Sequence, residues 1–249
     1  MLVNTFVRGT DLMKKIIDFM SKNKWITMFF FISTFIIVSY ILTMDLPELF
    51  DGAEEWYNLF FQLSVGYIIN FMFYITQVYI PNNKRSATIQ ASISKRISML
   101  ISHMNDSFSH LVAIYAVDHK GETYTEEVLT QLMLKLKFSD KVKVLDASRT
   151  TTNNYVYFTV REWLTKCILE TEQDIDCLFK YYAANISVDL MEVLEAIPRS
   201  TYHAAMRTLL TSPSDVNFSE AASSPDGNFF FKYYDLIKKL KQIQQRDYS

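Results

Sequence analysis

Two long stretches without a charge constrain this chain more than any other feature. The first runs from Trp25 to Met44, WITMFFFISTFIIVSYILTM, and has 20 residues. The second runs from Trp56 to Ile80, WYNLFFQLSVGYIINFMFYITQVYI, and has 25 residues. A helix rises about 1.5 Å per residue, so each run reaches about 30 Å or more, the thickness of a bilayer's hydrocarbon core. A buried helix of a soluble protein is the competing reading of either run. Two such runs so close together are better explained by a membrane hairpin. For the first run a cleaved signal peptide also competes. The run exceeds the usual apolar region of about 7–15 residues, and MDLPELF behind it lacks a small-x-small cleavage site. Pro81, Asn82, Asn83, Lys84 and Arg85 are expected to close the second span. Trp25 on the first span, and Trp56, Tyr57 and Tyr79 on the second, have the character of interfacial anchors.

The flanking charges set an orientation. Arg8, Lys14, Lys15, Lys22 and Lys24 precede the hairpin, and Lys84, Arg85, Lys95 and Arg96 follow it. Asp45, Glu48, Asp51, Glu54 and Glu55 lie between the spans, with no Lys or Arg. Basic residues mark the cytoplasmic side, so both termini are expected inside, with the protein multi-pass in the cell (inner) membrane. The connecting loop is too short for an outside domain. Cys167 and Cys177 would then sit in a reducing compartment as free thiols. Their spacing fits no metal or redox motif.

The expected organisation has three parts. Residues 1–22 form a leader in which Leu12, Met13, Ile16, Ile17, Phe19 and Met20 alternate with charges. It is read either as a helix on the inner leaflet or as a frayed basic tail. Residues 23–82 form the hairpin, and residues 83–249 form a helical domain on the cytoplasmic side. The whole chain carries a net charge of -2, and the inner domain is itself balanced. No basic field exists to hold nucleic acid.

Within that domain the apolar spacing is mostly helical. Ile89, Ile93, Ile97, Leu100, Ile101, Met104, Phe108 and Leu111 recur at three and four and predict a helix over 88–117. A second helix is expected over 124–136, capped by Thr123 with Glu126 completing a capping box. The VKVL run at 142–145 suggests a short lone strand. A third helix is predicted over 155–182, and a fourth after Ser187, with Pro198 interrupting it or starting the next. Residues 211–228 are loop by composition, and a last helix covers 229–245. The predicted fold class is an all-α membrane protein, a two-helix transmembrane hairpin followed by a cytoplasmic helical bundle.

Chemistry is sparse. His103 and His110 lie two turns apart, about 10 Å, which is too far for one zinc ion without other ligands. The acidic run Glu170, Glu172, Asp174, Asp176 reads as a solvated helix face. No serine sits in GxSxG, and Gly121–Thr123 is no phosphate loop. No catalytic, cofactor-binding or metal-ligating residue is assigned, and no enzyme or cofactor is expected.

The second span carries the one residue-level signal. On a helical wheel Gln62, Gly66, Asn70, Phe73 and Gln77 fall within about an 80° stripe, which Asn58 widens to about 120°. Amides are poorly placed against lipid, so this face is expected to contact another helix. That helix is the first span, a second copy of the chain, or the wall of a solute path. The leading functional reading is a membrane-anchored interaction or scaffold protein that presents its helical domain to a cytoplasmic protein partner and self-associates. The alternative is an oligomeric membrane-perturbing effector or small channel. Bacterial membrane effectors, phage-defence proteins among them, share this coarse architecture, an analogy that assigns no residue.

Overall fold

The computed structural model describes residues 16–43, 50, 52–115, 123–211 and 228–248. The leader up to residue 15, most of the acidic loop, His119 and the loop 212–227 lie outside the described residues. The chain divides into two compact units, 1–87 and 88–249.

In the first unit α1 spans Lys24–Thr43 and α2 spans Ala53–Phe73. Gly52 precedes α2 at φ 82°, a left-handed conformation that glycine adopts without a steric penalty. The two helices pack antiparallel along a seam of small and aromatic side chains. Ser33 and Ser64 are both buried, and two small residues let the backbones approach closely. Phe30 meets Phe71 at 4.6 Å between ring centroids, and Tyr40 stacks on Phe61 at 4.4 Å. Tyr67 donates its hydroxyl to the Ile26 carbonyl at 2.8 Å, across the pair. The leader's last turn joins this unit. Residues 16–22 are helical, and the Phe19 ring is buried against Phe71, Ile75 and Tyr79. Phe19 thus buries its ring where the second apolar helix turns π-helical.

The helix that carries the second apolar run continues past Pro81. A π-helical segment, Tyr74–Tyr79, follows α2 and leads directly into α3, Ile80–Ile114. Proline in a helix lacks its N–H and pushes its ring at the carbonyl four residues back. The π turn provides a way round. The Ile80 N–H bonds to the Ile75 carbonyl five residues back, so the ladder is already wider when the proline arrives. Thr76 donates its hydroxyl to the Met72 carbonyl at 2.8 Å in the same stretch.

In the second unit α3 is the axis of the core. Ile93, Ile97, Leu100, Met104, Phe108 and Leu111 are fully buried, at the three-and-four spacing read from the sequence. Around it pack α4, Glu126–Lys135; α5, Val160–Tyr182; α6, Val188–Arg199; α7, Thr201–Thr211; and α8, Phe229–Asp247. Among the described residues the fold is all-α apart from one small ribbon. That ribbon pairs β1, Lys141–Leu145, antiparallel with β2, Tyr157–Thr159. The strand at 142–145 therefore has a partner, and α5 starts at Val160 rather than at Tyr155.

The boundaries follow from caps. Thr159 and Glu162 form a reciprocal capping box, with the Thr159 N–H donating to Glu162 Oε2 at 2.8 Å. A β-branched and aromatic run ahead of it, Tyr157–Thr159, is freed to pair as a strand. At α4 the cap is Thr125, which accepts from the Val128 N–H, and not Thr123. Thr125 has no Glu or Gln three residues on, so no box forms there. Ser187 caps α6 as expected, accepting from the Leu190 N–H at 3.3 Å. Pro198 lies inside the last turn of α6, and Ser200 separates it from α7.

Candidate functional site

The amide-bearing face of α2 and the buried polar groups of the second unit are the two places where chemistry concentrates. On α2 the seam with α1 is made by Phe61, Ser64, Tyr67 and Phe71. By the helical repeat these residues centre roughly half a turn away from Gln62, Gly66 and Asn70. Gln62, Asn70 and Gln77 are exposed, as is Phe73 at 62%. None of the three amides has a hydrogen-bond partner among the described residues. A Cβ added at Gly66 would meet no atom within 4 Å, so Gly66 is not where α1 and α2 touch. Ser33 and Ser64 take that role. Asn58, at the edge of the stripe, behaves differently. Its Oδ1 accepts from the Tyr40 hydroxyl at 2.7 Å, joining α1 to α2. Gln77 lies in the π segment.

The aromatic residues at the ends also differ among themselves. Trp25 and Trp56 are exposed, at 74% and 58%. Tyr57 is half exposed, with its ring 6.3 Å from that of Tyr40. Tyr79 instead packs its ring edge-on against Phe19, 4.6 Å away, and its hydroxyl donates to Asp18 at 3.3 Å. Tyr40, Ser64, Tyr67 and Phe71 form the hairpin seam but do not stand out in the sequence. Their only signal is that hydroxyls and rings recur at matching distances from the turn.

In the second unit the acidic run of α5 is not uniformly solvated. Asp174 turns inward and is 5% exposed. Its Oδ2 lies 2.8 Å from His103 Nδ1 and its Oδ1 3.5 Å from the Arg96 guanidinium, both on α3. A buried carboxylate needs such partners, and the pairing ties α5 to α3. Glu170 lies 4.0 Å from the other His103 nitrogen. Among the described residues no group of three or more His, Cys, Asp or Glu side chains could hold a metal ion.

Cys167 and Cys177 are free thiols. Burial pushes the Cys167 thiol up to about 12, which leaves little thiolate at neutral pH and makes it a poor nucleophile. A groove of about 410 Å³ between α6 and α8 is lined by Asp189, Glu192, Lys239 and Arg246. Arg246 is already held by Asp189 at 2.6 Å and by Asp247 at 2.7 Å.

His203 is fully buried on α7. Its Nε2 is 3.2 Å from the Tyr233 hydroxyl, and its Nδ1 is 3.5 Å from Glu172, which Arg207 also binds. Burial pulls the imidazole below its ordinary value. The Glu172 carboxylate opposes that shift and Arg207 adds to it. The folded chain therefore takes up this proton less readily than the unfolded chain, where the value is about 6.5. The stability tied to neutral His203 is complete above that pH and is lost as the pH falls towards the depressed folded value. Thermal unfolding between pH 7.5 and pH 5 should show a falling midpoint. His203→Gln should be less stable at pH 7.5 and show a shallower fall. An unchanged pH slope in that variant would remove His203 from the account.

No family model, curated protein or solved structure matches this chain.

Proposed function

We propose that this is a membrane-anchored interaction protein. Its hairpin crosses the inner membrane, both termini lie in the cytoplasm, and the helical unit is presented there to a protein partner. One observation carries the reading. The two apolar helices are long enough to span a bilayer, yet only 6% of the most apolar stretch of the first and 17% of the second is buried within the protein. The core helix of a soluble protein buries most of such a stretch. Phe31, Phe35, Leu42, Leu63 and Phe73 are instead largely exposed. A contiguous apolar surface of this kind calls for lipid or another chain. The second unit packs a continuous apolar core of its own, a folded body that the hairpin can present.

Affinity purification of the full chain from mildly solubilised membranes tests the interaction half. The expected result is a stoichiometric companion, either a cytoplasmic protein or a second copy. A chain that stays alone and monomeric in every mild detergent contradicts it. The exposed amides on α2 favour a second reading, an oligomeric membrane-perturbing effector or small channel. A membrane-potential dye separates the two. Depolarisation on expression supports the effector, and a steady potential with a bound companion supports the anchor.

A further inference from the structure

We infer that the face bearing Gln62, Gly66 and Asn70 on α2, continued by Gln77 in the π segment, is where a second copy of this chain packs within the bilayer. The inference rests on the membrane-anchor reading. Each amide carries two donors and an acceptor, and lipid tails supply no partner for any of them. The chain's own first span does not reach them, because it lies on the other side of α2. Two hydroxyls of α1 are also turned back to its own backbone. Thr34 and Thr43 return their hydroxyls to the carbonyls of Phe30 and Ser39, each at 2.8 Å. The leader's described last turn, residues 16–22, is engaged elsewhere, with Phe19 buried against Phe71 and Ile75.

A second copy satisfies this face better than an unrelated helix. An amide both donates and accepts, so two identical faces related by a two-fold axis complete one another's hydrogen bonds. Gly66 sits between Gln62 and Asn70 on the wheel. Among the described residues no neighbour explains a glycine there, since an added Cβ would meet nothing within 4 Å. A glycine in mid-helix between two amides lets a second backbone come close enough for side-chain amides to bond across. Phe73, exposed on the same stripe, adds apolar surface to the contact.

Single-molecule photobleaching of the fluorescently tagged full chain in native membranes tests this. Three variants are compared with the wild type. The double substitution Gln62→Leu with Asn70→Leu removes amides but remains suited to a bilayer, so insertion is retained. Gly66→Leu blocks the close approach. Phe31→Leu, on the exposed side of α1, is the control. The wild type is expected to bleach in two or more steps. The double variant should lower the association constant roughly threefold per amide, on the order of tenfold in all, by the strength of such bonds in membranes. Gly66→Leu should lower it further, and Phe31→Leu should leave it unchanged.

A wild type that bleaches in one step overturns the contact while leaving the anchor standing. So does wild-type association in both the double variant and Gly66→Leu. Intact assembly with an altered dye response in the double variant assigns the face to a water path instead. Recovery of the wild type in the soluble fraction fails the anchor reading itself, and the inference with it.

Discussion

Phe108→Ala should destabilise the helical unit by about 3–5 kcal/mol, the cost of emptying a large buried aromatic site. Phe108 is fully buried on α3. Its ring centroid lies 5.9 Å from Tyr202, 5.7 Å from Phe230, 6.0 Å from Tyr233 and 6.3 Å from Tyr234. It is therefore the point where α3, α7 and α8 meet. Tyr202 and Tyr233 are stacked on each other at 4.1 Å and cannot both move into the void without giving up that contact. A domain of this size is stable by only about 5–15 kcal/mol, so the loss is a large share of the total. Urea unfolding of the detergent-solubilised full chain, followed by near-ultraviolet circular dichroism of the tyrosines, reads it. Phe108→Leu, which keeps most of the volume, should cost clearly less. A Phe108→Ala chain within about 1 kcal/mol of wild type would show that this junction is not packed as described.

Phe35→Arg is expected to act on the other unit and by different physics. Phe35 is 72% exposed near the middle of α1. On the surface of a soluble protein such a change costs little, within about 0.5 kcal/mol. At the centre of a spanning helix an arginine costs about 2.5–3.5 kcal/mol, and the favourable contribution of the phenylalanine is lost as well. Snorkelling reduces that figure without removing it. Pulse-chase of the membrane-inserted fraction should show the variant inserting poorly or being degraded, with Phe35→Leu indistinguishable from wild type. Normal yield and fractionation of Phe35→Arg would place that face in water.

The two apolar runs were legible because a charge-free stretch of that length leaves few alternatives. The core of α3 was legible for a similar reason, since six residues from Ile93 to Leu111 keep one phase for more than five turns. The capping box of α5 stood in the sequence as Thr159-x-x-Glu162, but the apolar residues ahead of it extended the helical pattern and hid it. Tyr157–Thr159 pairs as a strand only because Lys141–Leu145 is brought alongside, and no local signal announces that. A proline commonly ends a helix, and Pro81 does not. That rule assumes a regular α-helical ladder, and the π turn before Pro81 breaks that assumption.

The candidate site was readable as a stripe but not as a surface. Which side of α2 meets α1 is decided by Ser33, Ser64 and the rings of Tyr40, Phe61 and Phe71, a tertiary choice that periodicity does not contain. Asp174 and His203 show the same limit. Each is a polar residue on a patterned helix, and each is buried by partners far away in sequence. Asp174 meets His103 and Arg96 on α3, and His203 meets Tyr233 on α8.

The central claim is that α1 and α2 cross a membrane. Alkaline carbonate extraction of membranes from cells expressing the full chain tests it most directly. High pH strips proteins held by charge or by a partner and leaves those embedded in hydrocarbon. The account predicts that the wild type stays in the pellet and is released only by detergent. Full recovery of a folded chain in the alkaline supernatant would contradict it.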